Sequence, residues 1–189
     1  MSKVTKIGLR IFGGLAVIVL LFFFVVGPIM KNQTKKHSPE KTVAYTQSDL
    51  KIDIFYNSPS KKGRVIFGEL VPYDQVWRTG ANEATTFSTN KDLTINGETL
   101  PAGDYTLWTI PKEGSWDVIF NDKLVDWGVT LTMKTARDAD HDVLVANAPV
   151  SKSMVPLENF TINVTETVTG TAVMTLAWDD VVVALKMTH

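Results

Sequence analysis

Residues 11–30, IFGGLAVIVLLFFFVVGPIM, form a run of twenty without one charge, and this run limits the chain more than any other feature. At helical rise, about 20 residues cover the roughly 30 Å hydrocarbon layer of a bilayer. A helix apolar on every face offers no water-facing side to a soluble fold, so the run reads as a transmembrane helix with the lipid bilayer as its partner. Lys3, Lys6 and Arg10 precede it and Lys31, Lys35 and Lys36 follow it, so a count of basic residues does not orient it. The preceding tail is very short and its charges abut the apolar run, the form of a signal-type segment whose basic end stays in the cytoplasm. No A-x-A pattern follows and Pro28 comes directly after Gly27, so retention as an anchor is expected rather than cleavage. The expected organisation is a basic cytoplasmic tail over 1–10, a signal-anchor helix over 11–30, a juxtamembrane linker over 31–42 and an extracytoplasmic, periplasmic domain over 43–189. The linker, KNQTKKHSPEKT, is polar, lysine-rich and interrupted by Pro39, which suits a flexible stalk near anionic headgroups with His37 solvated.

The remainder is of single-domain size. Its 19 basic and 20 acidic residues are spread through the chain, which leaves no basic face to neutralise a run of phosphates and argues against nucleic acid as a partner. Cysteine is absent, which removes thiol nucleophiles, disulfides and thiolate metal sites.

After residue 43 the pattern is one of short β-branched and aromatic runs divided by turn residues. Leu50, Ile52, Ile54 and Tyr56 alternate with polar positions, and Val65 to Phe67 reads as a second short strand. In residues 93–100, LTINGETL, Asn96-Gly97 can take the positive φ angles of a two-residue hairpin turn. Residues 105–110 and 115–121 read as a pair that places Trp116, Val118 and Phe120 on one core-facing side. Phe160, Ile162 and Val164, then Ala172, Met174, Leu176 and Trp178 beyond a Thr169-Gly170 turn, then Val181, Val183 and Leu185, read as separate half-buried strands. The expected fold is all-β, an antiparallel β-sandwich of roughly nine or ten short strands behind the one transmembrane helix. Residues 129–142, with Met133, Ala136 and Arg137, are compatible with a loop or one helical turn.

No constellation specifies a reaction. The only histidines are His37, His141 and His189, so no nucleophile–base–acid triad is visible. Asp104, Asp117 and Asp126 invite comparison with a glycosidase pair, which needs two carboxylates at a defined separation. Asp138, Asp140 and Asp142 around His141 only partly match a calcium loop and suit a solvated acidic loop better. Neither a cofactor nor a metal is expected.

Residues 68–85, GELVPYDQVWRTGANEAT, crowd aromatic, cationic, amide and acidic side chains around glycines. With LPAGDYTLWTIP at 100–111, SWDVIFN at 115–121 and Asp126-Trp127-Gly128, the stretch resembles the DUF2911 family of uncharacterised domains, over about residues 58–186, and VWRTGANEATTF at 76–87 is its most specific motif. The resemblance implies an exported β-rich domain of the Bacteroidetes and confers no catalytic residues. It directs attention to Trp77, Arg78, Asn82 and Glu83.

Arg78 offers a planar fork of donors, Asn82 a donor and an acceptor, Glu83 an acceptor and Trp77 a flat apolar face, a set able to bind a sugar or a carboxylate. Tyr73, Trp108 and Trp127 complete the candidate ligand- or partner-binding set. Trp108, Trp116, Trp127 and Trp178 would form an aromatic platform for a glycan if exposed, although tryptophan at alternate strand positions is more often core. The commoner arrangement of the loop set is structural too: Arg78 paired with Glu83, Asn82 capping the turn and Trp77 filling core. The functional expectation is a non-enzymatic binding or assembly module of the cell envelope with an envelope protein as partner, either free-standing or a subunit of a larger membrane complex. The alternative is a carbohydrate-binding or carbohydrate-processing protein with a glycan as ligand.

Overall fold

The computed structural model describes residues 3–130, 132, 134–168 and 170–189, so the readings at Met133 and Thr169 lie outside the described residues. The chain divides into two compact units, 1–37 and 38–189. In the first, α1 (Lys3–Leu21), a π-helical turn (Phe22–Val26) and α2 (Gly27–His37) follow one another directly. Leu21 and Gly27 both keep right-handed helical angles, and the Gly27 N–H donates to the Phe22 carbonyl five residues back. Among the described residues no helix is long and apolar enough to cross a membrane. The expected single span differs because the π turn divides the apolar run, and α1 spends its first turns on the segment holding Lys3, Lys6 and Arg10.

The polar stretch after the run is regular structure rather than a flexible stalk. Residues 31–37 complete α2, where Lys35, Lys36 and His37 sit in the last turn and favour the negative end of the helix dipole. Pro39 has no N–H to extend the helix and disfavours helical angles at Ser38. Strand β1 (Glu40–Gln47) starts immediately afterwards.

The second unit adds β2 (Leu50–Asn57), β3 (Thr86–Thr89), β4 (Leu93–Ile95), β5 (Glu98–Leu100), β6 (Gly103–Pro111), β7 (Ser115–Asn121), β8 (Asp142–Val168) and β9 (Thr171–Thr188). The protein is therefore mostly β, and the nine strands among the described residues form one antiparallel sheet in the order β1-β2-β3-β6-β7-β8-β9-β4-β5. Two separate sheets were expected; β8 joins them. Its residues 142–149 pair with β7, and from Val150 onward it pairs with β9. The three late runs read as separate strands are parts of these two long ones. Between the pairs Lys152↔Val181 and Leu157↔Asp179 the ladder bulges, and Asp179 takes a positive φ of 53°. Bulges bend a strand without ending it.

Local turn chemistry is realised at Asn96 (φ 53°) and Gly97 (φ 86°), which join β4 to β5. Val65 to Phe67 is not a strand: Phe67 makes only an isolated bridge to Val71, inside the long connection from β2 to β3. The core gathers alternate residues of nearly every strand, including Ile52 and Ile54 of β2, Phe87 of β3, Trp116, Val118 and Phe120 of β7, and Leu176 and Trp178 of β9. Each large side chain so buried is worth about 1.5–3 kcal/mol over leaving it in water. Phe87 meets Phe120 edge-on at 5.0 Å and Tyr56 meets Phe160 at 5.7 Å. Residues 139–141 form one 3-10 turn, capped by the Asp138 side chain accepting from the Asp140 N–H.

Candidate functional site

The β2–β3 connection carries no regular element, so its backbone groups must find partners elsewhere. Trp77 exchanges both backbone hydrogen bonds with Thr109 of β6, at 2.7 and 3.0 Å, and the Asp74 N–H donates to the Pro111 carbonyl at 2.9 Å. The chain then turns sharply, with positive φ at Thr79 (55°) and Asn82 (57°). Gly80 passes so close to β2 that a Cβ there would lie 2.9 Å from the Asn57 carbonyl oxygen. Buried hydroxyls hold the turn: Thr79 donates to Thr109 Oγ1, and Thr85 donates to the Thr79 carbonyl at 2.8 Å.

Trp77 packs in a ring cluster, 4.9 Å from Phe160 and stacked on Trp178 at 6.0 Å, while its Nε1–H donates to the Gly80 carbonyl. The reading of Trp77 as core filler matches this side of the ring. Arg78, next in the chain, faces the segment 126–129. Glu83 bridges to Trp127, and the Gly128 N–H donates to the Asn82 carbonyl at 3.4 Å. The Arg78 stem lies directly across Gly128, where a Cβ would sit 2.5 Å from Arg78 Cδ.

Arg78 and Glu83 do not pair. Arg78 Nη1–H donates to the Asn82 carbonyl at 3.3 Å, and Glu83 Oε2 accepts from Asn57 Nδ2 at 3.0 Å. Thr79 and Asn82, both at positive φ, separate the two side chains along the turn. Burial pushes the Arg78 guanidinium below its ordinary value. Asn82 Nδ2 is buried without a hydrogen-bond partner among the described residues, so Asn82 serves its surroundings through its carbonyl.

Beside this turn opens a cleft of about 650 Å³ lined by Pro72, Gln75, Val76, Trp77, Arg78, Gly128, Val129, Lys134 and Thr135. Of the seven predicted site residues, Trp77 and Arg78 line it, and Asn82, Glu83 and Trp127 knit the wall behind. Tyr73 lies with its ring over Gly68, and Trp108 is 1% exposed with its Nε1–H donating to Thr106 Oγ1; neither lines the cleft. Trp116 and Trp178 are buried and Trp127 is 37% exposed, so the tryptophans form no shared exposed platform. The far wall is a narrow turn made by the Val129↔Thr135 bridge and the Thr130 N–H donating to the Lys134 carbonyl at 2.8 Å. Sequence reasoning missed Gln75, Lys134 and Thr135; Gly128, within Asp126-Trp127-Gly128, was the readable sign of a close approach.

Three of the acids in and beside the acidic loop have side-chain partners. Asp142 takes two hydrogen bonds from Arg137, Asp138 pairs with Lys123 at 2.8 Å, and Asp122 pairs with His141 at 2.7 Å. Among the described residues no three His, Cys, Asp or Glu side chains gather as a metal site. Asp117 is held by Lys112 at 2.7 Å.

No curated protein and no solved structure shows significant similarity to the chain. Over residues 38–187, which contain all of the sheet but the last residue of β9 and both walls of the cleft, the sequence matches a family described as a protein of unknown function, and the chain belongs to that family, DUF2911.

Proposed function

We propose that the protein is a membrane-anchored, non-enzymatic binding module of the bacterial envelope, with its β unit on the extracytoplasmic side and its ligand or partner in the cleft beside the 73–83 loop. The cleft carries this reading. It is roughly 650 Å³, within the range of ligand pockets, and its two walls are fastened to β6 and to each other by backbone hydrogen bonds. Among the described lining residues there is no histidine or carboxylate, the side chains most used for general acid–base work. The anchor rests on the uncharged run at 11–30, whose helical backbone continues through the π turn from α1 into α2.

The test is a pull-down of tagged full-length protein from its native membranes, beside variants that fill the cleft from its exposed rim, Gln75→Trp and Thr135→Trp. The expected result is a protein that stays with the membrane pellet through alkaline wash, and a bound species lost from both variants although they melt as the parent does. Release of the parent into the wash removes the anchor from the reading. A bound species retained by folded, filled variants removes the cleft.

A further inference from the structure

Among the described residues two arginines are half-buried, Arg78 and Arg137, and they are treated differently. Arg137 is matched by the Asp142 carboxylate, which receives its Nε–H at 3.1 Å and a second contact from Nη2. Lys61, Lys91, Lys112, Lys123 and Lys152 likewise have carboxylate partners. Arg78 has none: among the described residues its one hydrogen bond goes to a neutral carbonyl, leaving the rest of its donor fork without a protein partner. Burying a cation without a countercharge costs free energy, so a fold that only needed Arg78 as a strut would gain by supplying an acid. The surroundings instead hold the side chain in place. Its stem crosses Gly128 at a distance no other residue would allow, and its Nη1 is tied to the Asn82 carbonyl.

The cleft repeats this imbalance. Its described lining residues include two cations, Arg78 and Lys134, and no acid; Gln75 adds an amide, and Pro72, Val76, Trp77 and Val129 add apolar wall. We infer that the cleft takes its ligand through an oxyanion, a carboxylate or phosphate group, seated on the Arg78 fork with Lys134 at the rim and an apolar part of the ligand against Trp77 and Val129. Guanidinium geometry favours two parallel hydrogen bonds to such a group, and the low solvent content of a half-buried site strengthens them. The inference rests on the binding reading above and specifies its chemistry.

The experiment uses the full chain in phosphatidylcholine nanodiscs. Thermal melting and tryptophan emission are followed against inorganic phosphate and acetate, with chloride at matched ionic strength as control and N-acetylglucosamine as a neutral probe. The expected result is a saturable rise in Tm with phosphate or acetate above the chloride control, at least about tenfold weaker in Arg78→Gln, as loss of a charge-assisted hydrogen bond implies. Lys134→Gln, on the exposed rim, should weaken it several-fold, and it carries the test if Arg78→Gln does not fold. Soluble dihexanoyl phosphatidylglycerol separates the sources: binding tighter than phosphate points to a lipid headgroup, and equal or weaker binding to a free solute. Absence of any oxyanion effect in the parent, or an unchanged effect in folded Arg78→Gln, overturns the inference. If the filled variants still lose their bound species in that case, the cleft remains a binding site of other chemistry; if they keep it, the binding reading falls as well.

Discussion

On the face of β6 and β7 that meets the core, Leu107 lies opposite Phe120 and Thr109 opposite Val118, with Trp116 alongside, all buried. On the opposite face Thr106 lies opposite Asn121 and Trp108 opposite Ile119, and these four are equally dry. The first face excludes water by interdigitating rings and methyls from other strands. On the second, Thr106 and Asn121 fasten both ends of the segment 122–141 through polar atoms. Thr106 Oγ1 donates to the Lys123 carbonyl at 3.1 Å, Asn121 Nδ2 donates to the Asp138 carbonyl at 2.7 Å and to Asp142, and the Lys123 N–H donates to Asn121 Oδ1. Gly128, Val129, Lys134 and Thr135, the far wall of the cleft, belong to that segment. The core face thus sets whether the domain folds, and the outer face sets where the cleft wall stands.

The largest expected effect is on the core face. Phe120→Ala removes a ring that meets both Phe87 and Tyr105 and should cost about 3–5 kcal/mol in chemical denaturation, with every part of the sheet lost in one transition. Asn121→Ala, one residue later but on the other face, should cost less, about 1–3 kcal/mol, because it strands the Asp138 carbonyl and the Lys123 N–H. Its distinguishing result is local: amide exchange should accelerate in 122–141 while β2 stays protected. Equal acceleration throughout the sheet would erase the distinction between the faces.

This division also explains what the sequence disclosed. Alternation at 50–56 and 115–121, and Asn96-Gly97, are local patterns, and the structure follows them at β2, β7 and the β4–β5 turn. The length of β8 and β9 was hidden because Pro156 and the pair Asp179-Asp180 look like stops, whereas a bulge with Asp179 at positive φ carries the ladder past them. Val65 to Phe67 has strand-like residues and no strand to pair with, which is a non-local fact. At the site, Trp77 and Arg78 were legible as an aromatic beside a cation. Lys134 lies 56 positions further on and reaches the cleft only because the 129–135 turn folds back, so no local pattern pointed to it. Arg78 and Glu83 look like an obvious pair five residues apart, and only the backbone angles at Thr79 and Asn82 turn them to different partners.

The smallest expected effect sharpens the comparison by pH. The core face of β6 and β7 has no carboxylate, whereas the outer face ends at Asp117, opposite Ile110. Burial disfavours the charge on Asp117, but hydrogen bonds from Lys112 at 2.7 Å and Asn147 at 2.9 Å, with the Lys112 charge, outweigh it and hold the carboxyl below its usual range. A carboxyl lowered in the folded state stabilises the fold above its unfolded value, near about 4, and loses that contribution as pH falls through the folded value. Because the Lys112 side chain is 42% exposed, solvent screening limits the pair to about 0.5 kcal/mol. Asp117→Asn should therefore lower stability slightly at neutral pH and converge on the parent at acidic pH, a difference read from denaturation midpoints across the acid range. Subtracting the two curves cancels the other lowered carboxyls, Asp49 and Asp138, which both retain. Curves that stay parallel down to the lowest pH would mean that Asp117 contributes packing and hydrogen bonding alone, and the outer face would then be as indifferent to protonation as the core.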